Sequence, residues 1–522
     1  MPNPNLNEID QHQNEPKMRP GAKGFLSVPS VGMRLAPEIL VLEMFRDVFY
    51  SEDRDRQMQT RELTPDLRDS DNRPVFSPAE RAVIWALQGR RKQTRRSREG
   101  VFFAPAYPEL ARESWLSKRR ERIIVRLLFE GAISQHFWSR GEQVENKVLE
   151  HQDAVDTIVS ALIGTQKRVD DGLQQDILRA ALSTQDTELD HDQARRTLFS
   201  LTRLSATVFE TESDELADRI VDDFLALCEL EKNLPRLIWL RIVMSYLRFA
   251  LPMWLLAHMR ITCLVHGFMI KAVGGSALPR QDQIMSAIGE RNRNIIRPTL
   301  TPTRELFSRI REYIRCRVEL NVLLYCLENI RPENLNGLTI TTAKVGAGLI
   351  PLADFLSVAR SAGDDLRASQ AYDHAPSLPI FLTRSSEMFR AWRDPLNKGQ
   401  GRNIDEFLRV LYQAESGDEA GGYLLIGKGR GETRGFRVFP GPLLLQTIAF
   451  LAARAKQAGR PDTLAGGGKL VLEDIQEHFA QYGIDFSEAS DALPLLMNEL
   501  QALGLLAGSP DAGSSVAVTC PF

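Results

Sequence analysis

Cysteine is scarce in this sequence, and so is any long apolar run free of charge. The five cysteines, Cys228, Cys263, Cys316, Cys326 and Cys520, are odd in number and mostly lie in apolar, helix-patterned surroundings. That distribution excludes a disulfide framework and fits reduced thiols in a cytoplasm. The paired short spacings of a four-ligand zinc site are not legible either. Cys263 and His266 share a helical face, with His258 not far off and Cys316 and Cys326 as conceivable neighbours. Packed thiols and a hydrogen-bonded histidine are the expectation there, with no metal and no cofactor.

The most apolar stretch, Leu234 to Gly275, is interrupted by Arg236, Arg241, Arg248, Arg260 and Lys271, and its longest uncharged piece runs only from Phe249 to Met259. A membrane span needs about 20 apolar residues, and an arginine near the bilayer centre costs about 3 kcal/mol or more. The expectation is therefore two buried helices meeting near Pro252, forming the central wall of a helical core, with no membrane partner.

Catalytic signatures are missing as well. Gly427-Lys428-Gly429-Arg430-Gly431 has its third glycine misplaced for a dinucleotide fingerprint and lies in a hairpin context. Gly466-Gly467-Gly468-Lys469 lacks the earlier glycine and the following Ser/Thr of a phosphate loop. Gly363-Asp364-Asp365 has no partner at nuclease-like spacing, and no Ser-His-Asp or Cys-His set can be read. No catalytic residue is assigned.

What is present is a large core and a segregated charge. At 522 residues, 43% hydrophobic and 25% charged, the chain is long enough for more than one domain of ordinary globular composition. Its net charge of −3 conceals strong local imbalance. Residues 1–35, rich in Asn, Pro and Gln without a signal-peptide core, are expected to form a disordered tail. A basic helical region is expected over 36–140, a helical core over 141–332, a mixed linker over 333–420, and a β-hairpin with a winged helix over 421–522. The fold class expected is mainly α: a multi-helix body with a C-terminal winged-helix (α+β) domain.

Between Arg81 and Arg126 there are thirteen Lys/Arg against four Glu. Arg90, Arg91, Lys92, Arg95 and Arg96 form one cluster, and Lys118, Arg119 and Arg122 belong to another, with Phe102, Phe103, Tyr107 and Trp115 between them. Basic clusters spaced by aromatics suit a surface that tracks a nucleic-acid backbone and stacks bases. The alternative is a solvated loop and helix paired with acidic segments such as Glu210 to Glu231. Further on, Phe307, Ile310, Ile314 and Val318 mark a second long helix opening near Thr301-Pro302 and ended by Arg331-Pro332. Leu338 to Thr342 is a candidate short strand.

The C-terminal pattern is more regular. Tyr423–Ile426 and Phe436–Phe439 form the strands of a hairpin carrying Lys428, Arg430, Arg434 and Arg437, a second candidate contact for nucleic acid. Pro442 opens a helix, a second carries Leu472, Ile475 and Phe479 and stops at Gly483, and a third follows Leu493, Leu496, Met497, Leu500 and Leu503 to Gly504. Leu505-Leu506 and Val516 to Val518 complete a wing. A winged helix ordinarily reads DNA with its third helix. Here Pro461 to Phe522 holds nine Asp/Glu and one basic residue, Lys469. Such a surface repels phosphates, so protein binding is expected of it, through Asp491, Leu495, Asn498 and Glu499.

The layout resembles two groups of bacterial proteins. One is the large accessory subunits of anti-phage defence operons linked to DNA methylation or phosphorothioation. The run Tyr482-Gly483-Ile484-Asp485-Phe486 carries that resemblance, with Leu503-Gly504-Leu505, Ser509 to Gly513 and Pro521-Phe522. The other is the kleisin partners of chromosome-organising ATPases, which also place a winged helix last. The first resemblance implies a non-catalytic, cytoplasmic component of a multi-protein, DNA-directed system, with other subunits of the same operon and DNA as partners. A DNA-binding transcription regulator is the rival class, which would need a basic recognition helix.

Overall fold

Helices make up most of the chain. The computed structural model describes residues 37–49, 125–138, 145–164, 191–203, 215–306, most of 308–319, 412–414, 424–428, 435–458, 470–486, 492–507 and 516–522, with a few isolated positions besides. In order these are α1 (Pro37–Phe49), α2 (Val125–Ile133, wound as a π-helix), α3 (Ser134–Trp138), α4 (Glu145–Ile163), α5 (His191–Arg203) and α6 (Glu215–Leu230). Then come α7 (Arg236–Val273), α8 (Gln281–Asn292), β1 (Thr299–Thr303), helical residues between 305 and 319, β2 (Tyr412–Ala414), β3 (Leu425–Lys428) and β4 (Gly435–Val438). The C-terminal elements are α9 (Pro442–Ala458), α10 (Leu472–Gln481), α11 (Ala492–Ala502), β5 (Leu506–Ala507) and β6 (Ala517–Val518).

The apolar stretch is one helix rather than two. α7 runs for 38 residues straight through Pro252. A proline inside a helix removes one backbone bond and ordinarily costs roughly 3 kcal/mol. Leu251, Met253, Trp254 and Leu255 are all buried around it, and that packing outweighs the lost bond. Trp239, Ile242 and Leu247 are buried as expected, whereas Leu264 is only half-buried. α1, α2, α6, α8 and α9 all pack on α7, so it is apolar almost all round. By length and mean hydropathy (1.4 over its best window) it would suffice to cross a membrane, yet 61% of that window is buried against the protein itself.

Arg236, at the start of α7, has a fully buried side chain. Its guanidinium donates to the carbonyls of Ala161 and Leu162 at the end of α4, and Glu231 Oε1 lies 3.4 Å away. The rings of Trp239, Tyr107 and Phe45 lie 4.7, 5.5 and 6.0 Å from its central carbon. The orphan carbonyls of α4 thus receive their donors from another helix. Gly164, at φ +66°, completes this cap, since a Cβ there would sit 3.0 Å from the guanidinium.

α4 and α5 meet through His151, whose Nε2 lies 2.6 Å from Thr202 Oγ1. Phe137 and Phe199 pack on its ring at 4.7 and 4.8 Å between centroids. Thr202 donates to the Leu198 carbonyl, so it accepts from a neutral His151.

Only half of the sheet follows from local pattern. β3 and β4 pair antiparallel as the expected hairpin, but the full order is β1-β4-β3-β2, with β2 parallel to β3 and β1 antiparallel to β4. Thr299–Thr303, expected to open a helix, is therefore a strand. Its threonines suit a pleated surface, and Pro302 lies so close to β4 that a Cβ on Gly435 would meet it at 2.8 Å. The helix begins only after Thr303, whose hydroxyl accepts from the Glu305 N–H. The candidate strand at Leu338–Thr342 and the helix after Ser77-Pro78 lie outside the described residues.

In the C-terminal part, α10 and α11 end where expected. Gly483 and Gly504 adopt φ of +77° and +71°, and Ile484 and Leu505 donate back to Phe479 and Leu500. β5 and β6 pair antiparallel, and Val471 bridges to Ala517. One hydrophobic cluster extends from Val41 to Val518.

Two outcomes follow for stability. Arg236→Met strands the Ala161 and Leu162 carbonyls and the Glu231 carboxylate, and should destabilise by about 3–5 kcal/mol in chemical denaturation; exposed Leu237→Ser should stay within about 0.5 kcal/mol. Burial, and secondarily the charge of His136, pulls the His151 pKa from 6.5 to about 4. The unfolded chain therefore takes a proton that the folded chain refuses in between. The stability this neutral ring contributes is full above pH 6.5 and is lost as pH falls toward about 4. The loss amounts to about 3 kcal/mol. The slope of unfolding free energy against pH should flatten in His151→Phe over that window.

Candidate functional site

Most of the basic residues singled out in the sequence fall outside the described residues: Arg90, Arg91, Lys92, Arg95, Arg96, Lys118, Arg119, Arg122, Arg430 and Arg434. Lys428 ends β3 opposite Gly435. Arg437 is half-buried on β4 between buried Phe436 and Val438, which leaves it little reach toward a phosphate. On α11, Asn498 is exposed, Glu499 is half-buried, and Leu495 is half-buried against the core rather than projecting outward. Asp491 lies outside the described residues. The outward surface of α11 is made by Pro494, Asn498, Gln501 and Ala502.

Three constellations appear that sequence patterns alone do not reveal. The first is basic. Arg260 on α7 donates to the Arg293 carbonyl at 2.7 Å, and Arg309 donates to the Ile295 carbonyl and to Glu305. The Arg260 guanidinium is brought down to about 10, first by burial and then by the positive charges of Arg309 and Arg291, with Glu305 opposing. Three arginines from three elements are therefore crowded together. Exposed Arg291, Arg293, Arg297 and Arg304 are their sequence neighbours. The signal is diluted in the sequence because these arginines are spread singly along the chain instead of standing in a run.

The second is a buried polar junction between α6, α7 and α10. Asp223 Oδ2 accepts from Tyr482 at 2.7 Å and lies 2.8 Å from His478 Nε2, which donates because an ionised carboxylate only accepts. Tyr482 also meets the Tyr246 hydroxyl at 2.8 Å, and Tyr246 reaches the Ile220 carbonyl at 2.9 Å. With its own proton on Asp223, Tyr482 accepts from Tyr246. Arg219 approaches the other carboxylate oxygen at 3.8 Å. Burial, and next the charge of Asp223, drives both tyrosines well above their usual pKa of 10. They remain neutral hydrogen-bonding groups at any physiological pH, so this cluster works as a clamp and offers no titrating base among its phenols.

The third joins α7 to the helical residues between 305 and 319. Cys263 and His266 stand three apart on one helix, and Cys316 and Glu319 three apart on the other. His266 Nε2 lies 2.9 Å from Glu319 Oε2, and hydrogen bonds link Cys263 to Cys316 and Cys316 to His266. The Cys263 bond is the main cause that brings the Cys316 thiol down to about 5, against burial and with help from His266. Burial alone would lower His266, but bonds and charge from Cys316 and Glu319 raise it to about 9. Cys263, in turn, is pushed far up by its bond to Cys316 and by burial. The arrangement is an acidic thiol beside a cation and a second, protonated thiol. Among the described residues no set of three or more His, Cys, Asp and Glu is disposed to hold a metal ion. Cys263 with His266 is the half of this cluster that sequence spacing reveals; nothing local ties Glu319 to it.

Tyr482→Phe keeps the ring and removes only the hydroxyl shared by Asp223 and Tyr246. It should destabilise by about 1–3 kcal/mol, the usual penalty for a buried acceptor losing its donor, measured by urea unfolding. A change below about 0.5 kcal/mol would mean that the clamp is not holding α10.

No protein-family model, curated protein or solved structure matches this chain, so the functional reading rests on its own residues and their geometry.

Proposed function

We propose that this chain is a non-catalytic scaffold subunit of a cytoplasmic, DNA-directed multi-protein system, with bacterial anti-phage defence as the setting its sequence resemblance favours. One observation supports the DNA-directed part above the others: Arg260, Arg291 and Arg309 are held together although they repel one another. Crowded cations raise the free energy of the unliganded protein, and an anion placed among them relieves it. A nucleic-acid backbone supplies such anions in a row, and neutralising them releases counterions. The basic stretch containing Arg90 and Lys118 would extend the same surface.

The C-terminal part takes the other role. Its helices α9, α10 and α11 followed by the β5–β6 pair have the element order of a winged helix, and Pro461 to Phe522 carries one basic residue against nine acidic ones. A third helix presenting Asn498, Gln501 and Ala502 has no cation for phosphates and suits a protein partner with a basic rim. That balance disfavours the transcription-regulator alternative.

The experiment uses the full chain. Binding to a labelled duplex, followed by anisotropy across a salt series, should weaken as salt rises. Arg291→Glu with Arg304→Glu should weaken it further and flatten the salt slope by about one unit for each phosphate left without its cation. Asn498→Arg with Ala502→Arg should leave DNA affinity unchanged or raise it slightly. Absence of any duplex or single-strand binding near 50 mM salt would remove the DNA-directed part of this reading.

A further inference from the structure

We propose that Cys263 and Cys316 form a peroxide-oxidisable dithiol, with His266 and Glu319 as its proton-handling pair. The observation is the chain of contacts between two helices: Cys263 to Cys316, Cys316 to His266, and His266 Nε2 to Glu319 Oε2 at 2.9 Å. A thiol whose proton is readily lost supplies the nucleophile, a neighbouring cation supplies the acid, and a second thiol within reach resolves the product. The other described cysteines lack these features. Cys228 is buried, with its thiol pushed up by burial, and exposed Cys520 touches only the Phe522 carbonyl.

The substrate class follows from access. Cys316 is 2% exposed, so bulky disulfides are shut out, whereas half-buried Cys263 lies at the more open end. Hydrogen peroxide is small enough to enter. The Cys316 thiolate attacks one peroxide oxygen; the S–O bond forms, the O–O bond breaks, and the His266 imidazolium protonates the departing hydroxide to water. Cys316 is then a sulfenic acid. Cys263 gives its proton to the now neutral His266 and attacks the Cys316 sulfur. The S–S bond forms, the S–O bond breaks, and hydroxide leaves as water with the proton from His266. Two thiols and one peroxide yield one disulfide and two waters, with two electrons passing from sulfur to oxygen. The disulfide would tie α7 to the helix that follows β1, enclosing α8 and β1 in a closed loop. This inference is independent of DNA binding.

The test uses the intact, reduced protein at pH 7 with graded hydrogen peroxide and peptide mass analysis. Wild type should lose two of its five free thiols and yield a Cys263–Cys316 cross-linked peptide pair. Its thermal unfolding midpoint should rise by about 5 °C, and the rise should reverse with dithiothreitol. Cys263→Ser should stop at a Cys316 sulfenic acid captured by dimedone, and Cys316→Ser should give neither product. His266→Gln should slow alkylation of Cys316 at pH 6 at least tenfold, because it removes the cation favouring the thiolate. Equal oxidation of Cys228 or Cys520, no cross-link in wild type, or stoichiometric zinc in the purified protein guarding both thiols would each overturn the proposal. The wild-type cross-link decides the matter even if a variant fails to fold.

Discussion

Asp223 is the constraint on which the assembly of this chain turns. Its carboxylate is buried, and a buried charge survives only if donors surround it. Those donors come from elements far apart in sequence: Arg219 on its own helix, and Tyr482 and His478 on α10 and the residue that caps it. Tyr246 joins from α7 through Tyr482. No alternative packing of α10 on the body satisfies the same groups, so the polar cluster fixes the register of an otherwise apolar contact between Phe249, Phe479 and Tyr482. The C-terminal helices are in this way part of the body's core. A load applied by a partner on α11 is carried inward to α6 and α7.

The arginines of α7 show how one residue type serves opposite ends. Their charge argues from sequence against a lipid environment, and the fold gives Arg236 and Arg260 protein acceptors instead. Arg236 closes the end of α4, and Arg260 closes the turn after α8 through the Arg293 carbonyl. Both use the planar fork of the guanidinium to hold carbonyls that water would otherwise hold. The apolar faces between them then stay dry.

Legibility in the sequence tracks distance along the chain. Helices with strong periodicity, such as α4, α6 and α11, are readable, as are their terminators Gly483 and Gly504, because a left-handed turn demands glycine locally. The continuity of α7 through Pro252 is not readable, since the compensation lies in neighbours brought by other elements. β1 reads as the start of a helix because its partner β4 lies more than a hundred residues away, and a strand is defined by its partner. The candidate sites escape for the same reason. Runs such as Arg90-Arg91-Lys92 catch the eye, whereas Arg260 with Arg309, Asp223 with His478, and His266 with Glu319 exist only once helices have packed.

The separation between Asp223 and His478, 255 residues, also sets a timetable. At about 5–20 residues per second, the ribosome needs roughly 13–50 s after making α6 before the donors of α10 exist. Throughout that interval the nascent helices carry an incompletely solvated carboxylate beside an apolar surface meant for Phe479. Native closure cannot precede synthesis of the last fifty residues. The chain is thus obliged to finish as a unit, and its N-terminal half passes through birth in a state that holding chaperones would recognise.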